Sequence, residues 1–464
     1  MMRWFLPGCF FVGTMVSLAA AEPALLVKNG LIFSEKPGET APFTGYLTAG
    51  SDGKIIAIAA GDPPAPIHAA KVIDAGGKFI MPGFVSGHTH LYQSVMRGLG
   101  IDQTLLGWIK PVGRVGNGAT ADERALFNEV GCYDLLAHGI TTSYAFNDSG
   151  DKPGYDEKSF LACLGSGMRF VHGYCLAFRA DNAERIRRFE AFYAFTRKYK
   201  DEPTFLSVSM GGYATFGENP DYAMAEGEMM KKYNLWNEAH YLEPPEAAVV
   251  KAQQDKFSWF VESGSLGPHF CFGHFIHVTD AILQATAKAG AGMVWNPLSN
   301  GRLASGTPDI PKYRSLGIRI GLGVDGQASA DIANPFENMR QGLYVIRALY
   351  QNAAILMPAE VLRFATLGSA DVLGVADRVG SLEPGKYADF LVVNPRTPET
   401  GPMFDPYGTL VLACDVDNVE QTYVGGKLAA EHGVCTKPGV AHAWMRAYAA
   451  VDRIMKAPAP PPGH

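Results

Sequence analysis

The strongest constraint on the fold is an alternation that runs through the middle of the chain. Eight short apolar runs, at residues 84–90, 140–146, 169–174, 205–210, 235–240, 270–274, 292–296 and 318–325, are separated by amphipathic stretches. Stretches 183–198, 246–261 and 280–289 place apolar residues three and four apart, the spacing of one helical face. Runs too short for helices, alternating with helices, imply βα units around a parallel sheet. Eight such units are the number that closes a (β/α)8 TIM barrel, an α/β fold needing about 250 residues, and residues 83–378 supply it. A doubly wound open sheet is the alternative, but no Gly-rich phosphate loop follows the first run.

The two flanks have a different texture. Residues 22–82 and 379–436 read as short β-branched strands bounded by glycines, and we expect them to join as one composite β-sandwich domain. Residues 437–464 are expected to form a C-terminal helix and a Pro-rich tail. At the start, Arg3, an apolar run from Phe10 to Leu18 and the small residues Ala19, Ala20 and Ala21 stand in the order of a secretory signal peptide, 1–21. The expected location is therefore periplasmic or secreted, with no stable membrane insertion once the leader is removed. The six cysteines beyond it, Cys132, Cys163, Cys175, Cys271, Cys414 and Cys435, show no CxxC spacing and read as buried thiols. With 47% hydrophobic and 19% charged residues and a net charge of −6, the chain can bury a large core. It offers no basic run for nucleic acid.

The runs also end in residues that carry chemistry. His88 and His90 close the first, His240 the fifth, His274 the sixth and Asp325 the eighth, and a barrel enzyme places its reactive groups at these C-terminal strand ends. Residues two apart on a strand share a face, so His88 and His90 point together into the mouth. Neutral imidazole suits Zn²⁺ or Fe²⁺, and a carboxylate from Asp325 completes a site with one position open for water. Glu243, three residues past His240 and followed by Pro244 and Pro245, falls in the loop that leaves the strand. His277 is a competing ligand candidate placed in the next loop, and His172 reads as a core histidine inside an apolar strand.

The first histidines lie in Met81-Pro-Gly-Phe-Val-Ser-Gly-His-Thr-His90, and here the sequence resembles the amidohydrolase superfamily, in the branch of triazine hydrolases, guanine deaminase and S-adenosylhomocysteine deaminases. The resemblance continues in order through Arg97-Gly98, Gly139-Ile-Thr-Thr142, His240-Tyr-Leu-Glu243, Gly273-His-Phe-Ile-His277, Asn296-Pro-Leu-Ser-Asn300 with Leu303-Ala-Ser-Gly306, Leu322-Gly-Val-Asp-Gly326 and Gly380-Ser-Leu-Glu-Pro-Gly-Lys-Tyr-Ala-Asp389. It implies one divalent metal ion, Zn²⁺ ahead of Fe²⁺, on His88, His90, His240 and Asp325. It also implies catalytic roles for Asp325 as base, Glu243 as proton carrier to the leaving nitrogen, and His274 as the group that steadies the attacking oxygen or polarises the substrate. Asn300 matches a motif position without a role. Binuclear members carry a lysine on the fourth strand; residues 205–210 contain none, which argues for one ion.

The expected activity is hydrolysis of a non-peptide C–N bond, by deamination or amide-like cleavage, in a small aromatic or heterocyclic substrate. Expulsion of chloride or an alkylamine by the same residues is the alternative within the family, and a silent metal- or ligand-binding barrel the alternative outside it. The stretches 91–120, with Tyr92 and Trp108, and 211–232, with Tyr213 and Phe216, are expected as long loops that set specificity. A homo-oligomer is an open alternative to a monomer.

Overall fold

The computed structural model describes residues 22–64 and 67–458. The leader, 1–21, and the end of the Pro-rich tail lie outside the described residues. The chain opens with strands β1 (Leu25–Ile32), β2 (Phe43–Ala49), β3 (Ile55–Ala60), β4 (Lys71–Asp74) and β5 (Phe79–Pro82). Eight strands follow: β6 (Phe84–Ser86), β7 (Ile140–Asn147), β8 (Arg169–Tyr174), β9 (Phe205–Gly212), β10 (Asn237–Tyr241), β11 (Phe270–His274), β12 (Gly292–Trp295) and β13 (Arg319–Leu322). Each falls on one of the eight apolar runs, with β7, β9 and β10 extending one or two residues past its end.

These eight strands pair in chain order, all parallel, from β6 to β13. The two edges then meet. Gly87 N–H donates to Leu322 O at 2.8 Å and Asp325 N–H to His88 O at 3.0 Å, so the sheet is a nearly closed barrel and not the doubly wound alternative. Every residue of β7, β8, β10, β11 and β12 is buried, because one face looks into the barrel and the other is covered by helices.

The intervening helices are α1 (Leu105–Gly118), α2 (Ala121–Ala137), α3 (Tyr155–Ser166), α4 (Asn182–Thr196), α5 (Asp221–Tyr233), α6 (Ala247–Asp255), α7 (Ser258–Glu262), α8 (Asp280–Ala289) and α9 (Pro297–Arg302), with others before the C-terminal strands. The start of α2 is written into Thr120-Ala-Asp-Glu123. Thr120 Oγ1 accepts from Glu123 N–H at 3.2 Å and Glu123 Oε2 accepts from Thr120 N–H at 2.8 Å, a reciprocal cap. Two expectations need correction. The single helix over 246–261 is two, because the carboxamides of Gln253 and Gln254 are drawn inward to Leu242 N–H and His277 O, at 2.8 and 2.7 Å, and the chain turns after Asp255. The long loops at 91–120 and 211–232 are mostly helical, in α1 and α5, although their first residues do line the mouth.

Both flanks contribute to a nine-stranded mixed sheet. β14 (Phe390–Val393) runs antiparallel to β5, with Phe390 opposite Pro82 and Val393 opposite Phe79, and β15 (Val419–Val424), β16 (Lys427–Glu431) and β17 (Val434–Cys435) extend it. Leu25, Val27, Leu47, Ile80, Phe390 and Tyr423 pack into a core of this sheet's own. Arg169 on β8 ties it to the barrel through a buried two-pronged ion pair with Asp389, at 2.6 and 3.0 Å. A C-terminal helix, Val440–Lys456, packs on α1 and α2. Among the described residues no helix is long and apolar enough to cross a membrane.

Candidate active site

The C-terminal ends of the strands bend sharply inward. Leu242, His274, Phe275 and Asp325 have φ of 55°, 66°, 51° and 55°, a left-handed backbone that costs non-glycine residues energy and concentrates at functional sites. Each bend follows or includes a residue with a ligand-type side chain. His88 and His90 leave β6, His240 lies on β10, and His274 ends β11; Asp325 follows β13 and Glu243 follows β10.

These side chains converge. Atoms of His88, His90 and His240 lie within 4.8 Å of one another, as do those of His88, His274 and Asp325 and those of His240, Glu243 and His274. His90 Nε2 and His240 Nε2 are 3.1 Å apart, and Asp325 Oδ1 stands 3.4 Å from His88 Nε2 and 3.5 Å from His90 Nε2. Two imidazole nitrogens on one tetrahedral ion, each at about 2.0–2.1 Å, stand roughly 3.3 Å apart. The donor set therefore fits a divalent metal: three imidazoles with nitrogens within 4.8 Å of one another, and an Asp325 oxygen 3.4 and 3.5 Å from two of them. His88 Nε2 is buried without a hydrogen-bond partner, as such a ligand must be.

The electrostatics agree. Burial pushes His90 down to about 4 and His274 to about 3, and holds His240 well below its usual range, so their lone pairs are free. Burial also opposes charge on His88, but the Glu238 and Asp325 carboxylates prevail and lift it to about 10. A field that favours a second proton on His88 is a field that draws a cation. Asp325 is held well below the carboxylate range against its burial, chiefly by His88, whereas burial and then Asp325 push Glu243 well above it. One pocket thus holds two carboxyl groups whose proton affinities are pushed in opposite directions.

The partners behind these groups were mostly invisible in the sequence. His88 Nδ1–H donates to Glu238 Oε2 at 2.8 Å, which turns Nε2 toward Asp325 as the nitrogen that would give its lone pair to a bound metal. Glu238 sits two residues before His240, and that spacing alone places it on the same face of β10. Ser299 on α9 donates to Asp325 Oδ2 at 2.6 Å. Asn300 Nδ2 donates to His274 Nδ1 at 3.0 Å, so the His274 proton lies on Nε2, which is 3.5 Å from Glu243 Oε2. Asn300 thereby gains the partner that the sequence could not assign. Two other histidines singled out in the sequence stand apart: His277 Nε2–H donates to Ser305 O at 2.8 Å in the following loop, and His172, fully buried, faces Asp156 at 3.4 Å.

Above the cluster is a cavity of about 260 Å³, walled by Tyr92, Trp108, Val112, Tyr213 and Phe216 and floored by His90, His240, Glu243 and Asp325. Tyr213 stacks flat on His240, with centroids 5.1 Å apart and planes at 6°.

A parallel barrel with such a cluster at its C-terminal mouth defines a metal-dependent hydrolase acting on small molecules. The chain belongs to the amidohydrolase family, whose model matches residues 79–429. It is 26% identical over 422 residues to a 5-methylthioadenosine/S-adenosylhomocysteine deaminase of Syntrophobacter fumaroxidans, covering 89% of this chain and 94% of the relative. Its fold is similar to that of an adenosine deaminase from Xanthomonas campestris with bound zinc, at a TM-score of 0.85 and 23% identity over 94% of this chain and 99% of the other. It is also similar to a zinc-complexed atrazine chlorohydrolase from Arthrobacter aurescens TC1, at a TM-score of 0.81 and 20% identity over 92% and 100%.

Proposed function

We propose that the protein deaminates a small amino-substituted heteroaromatic compound by hydrolysis, with a single zinc ion held by His88, His90, His240 and Asp325. The observation that carries this reading is the convergence of two buried carboxyl groups on His274 Nε2, Glu243 at 3.5 Å and Asp325 at 3.9 Å, with surroundings that push their proton affinities in opposite directions. Separated affinities of that kind assign base and acid. The relatives named as deaminases support the substrate class, and the aromatic walls suit a planar ring. The absence of lysine from β9 supports one ion.

A divalent cation bound here supplies Lewis acidity and brings the pKa of a water in contact with it toward ~7. Asp325, its Oδ2 held in place by Ser299, would accept the proton of the attacking water. His274, fixed as the Nε2–H tautomer by Asn300, donates to the attacking oxygen. Glu243 holds its proton at the carboxyl group facing His274 and delivers it to the leaving nitrogen, so that ammonia departs neutral. The test is ammonia release from a panel of aminopurines, aminopyrimidines and aminotriazines by zinc-loaded protein. Release of chloride or alkylamine from triazines, with no ammonia from any amino compound, overturns deamination in favour of the alternative leaving groups.

We also propose that the protein works outside the cytoplasm, supported by the order of Arg3, the apolar run and Ala19-Ala20-Ala21. The N-terminal mass of the native product tests this. A mature chain starting near Glu22 is expected, and an intact Met1 on cytoplasmic protein overturns it.

A further inference from the structure

One residue packed into the histidine cluster carries no polar side-chain atom. Phe146, next to last in β7 and buried, meets three imidazoles at once: its ring centroid stands 4.5 Å from that of His240, 5.1 Å from His90 and 5.5 Å from His88. Its backbone N–H donates to the carbonyl of Thr89, the residue between His88 and His90, at 2.8 Å. Phe146 thus holds the segment that presents two candidate ligands as well as the rings themselves.

The imidazoles differ in what else orients them. His88 Nδ1–H donates to Glu238 and His274 Nδ1 accepts from Asn300, so a hydrogen bond fixes the plane of each ring. His90 Nδ1 and His240 Nδ1 are buried and have no hydrogen-bond partner among the described residues. The torsion that turns an imidazole about its Cβ–Cγ bond is broad, and a ring without a bond at its rear nitrogen is kept in its plane by what it packs against. For His240 that is Phe146, nearly perpendicular at 85°, and Tyr213, parallel at 6°. For His90 it is Phe146, tilted at 49°, and Tyr92, edge-on at 6.2 Å. Outside the histidine cluster, Phe146 is the aromatic ring common to both among the described residues. Strand β9 leaves it room: a Cβ on Gly211 would stand 3.3 Å from Phe146 Cζ and 2.8 Å from Cys175 Sγ. The ring is therefore enclosed, and an enclosed ring transmits any change of shape to its neighbours.

We propose that Phe146 is a positioning residue for the metal site, setting by its shape the ring planes of His90 and His240 as Glu238 sets that of His88 by a hydrogen bond. The proposal rests on the metal-binding reading of the cluster. Its test needs no substrate.

The probe is Co²⁺ added to chelator-treated full-length protein. Its d–d absorption follows the geometry of its ligands, and competition with a chelator gives its affinity. Phe146→Leu keeps an apolar side chain without a ring, and Phe146→Met fills the space with a flexible chain that has no flat face. Both are expected to lose about tenfold or more in metal affinity, the scale of losing a hydrogen-bonded support, and to shift the cobalt bands. Val171→Ala, a truncation in the same packed cluster, is expected to lower Tm while leaving affinity and bands as in the native chain. Native bands and affinity in both Phe146 variants overturn the proposal, and so does an equal loss in Val171→Ala, since general loosening would then be the cause. If Phe146→Leu does not fold, Phe146→Met decides alone. Failure of the metal-binding reading shows separately, in a native chain that takes up no cobalt, and it takes the proposal with it.

Discussion

A Cβ on Gly273 would stand 2.3 Å from Glu238 Oε1, so β11 carries a glycine where the carboxylate behind His88 must lie. Glu238 in turn meets His88 Nδ1 at 2.8 Å. The glycine, the carboxylate and the imidazole form one support: strand β11 makes room, β10 supplies the acceptor, and the segment leaving β6 presents the proposed ligand.

Gly273→Ala should therefore act on the metal without touching a ligand. Displacing the carboxylate frees His88 to rotate and removes the acceptor that fixes its tautomer, and loss of such support costs about 10–100-fold in metal affinity. Glu238→Gln should fall in the same range while preserving side-chain volume. Zinc competition against a chromophoric chelator measures both, and unchanged affinity in both variants would remove Glu238 from the metal's support.

Glu243 and Asp325 should respond differently to neutral replacement. Glu243→Gln keeps shape but cannot carry a proton, and kcat should drop about 10²–10⁴-fold with metal content unchanged. Asp325→Asn should lose activity and metal affinity together, because it removes a ligand charge and a base at once. Side-by-side kcat and metal analysis decide, and near-normal kcat in Glu243→Gln would make that residue structural.

The sequence exposed the barrel because most of its strands are buried on both faces and so read as short, largely apolar runs, and it exposed the proposed ligands because they stand at the ends of those runs. Glu238 left a weaker signal: an acid inside a buried run, two residues before His240 and so on its face, but with nothing in the spacing to say that it accepts from the distant His88. The pairings of Ser299 and Asn300 with Asp325 and His274 depend on α9 folding back over the mouth, and spacing alone does not encode that approach. The division of residues 246–261 into α6 and α7 was hidden likewise, because Gln253 and Gln254 bond to the distant Leu242 and His277.

Glu226 on α5 predicts a pH dependence of stability that is separate from catalysis. Buried behind Tyr213, it accepts Tyr213 N–H at 3.1 Å and Asn237 Nδ2–H at 3.3 Å, and burial raises it to about 8. The folded state holds this proton more tightly than the unfolded chain. Its contribution is therefore complete below the unfolded value near 4.5 and is lost as pH rises toward 8, at up to about 1.4 kcal/mol for each pH unit. Glu226→Gln should show a smaller decline in Tm between pH 5 and pH 8 than the native chain. Parallel declines would show that Glu226 ionises without cost.

Metal binding should release a proton, and the structure identifies the group that gives it up. Without a cation, the carboxylates of Glu238 and Asp325 keep His88 doubly protonated up to about 10, while burial leaves His90 and His274 neutral above about 4 and 3. A ligand must present a lone pair, so zinc can enter at pH 7.5 only by displacing the Nε2 proton of His88. Titrating chelator-treated protein with zinc in buffers of different ionisation enthalpy should count close to one proton released by this group per ion. Because zinc binds the folded site in preference to the open chain, the loaded protein should also melt higher, by an amount that corresponds to about 2.7 kcal/mol when free zinc is 100-fold above Kd. In Glu238→Gln the Nε2 proton is held less firmly, so proton release should fall and affinity should gain less as pH rises. Two ions retained after exhaustive dialysis would contradict the single site, and zinc uptake without proton release would show that His88 is already neutral in the metal-free protein.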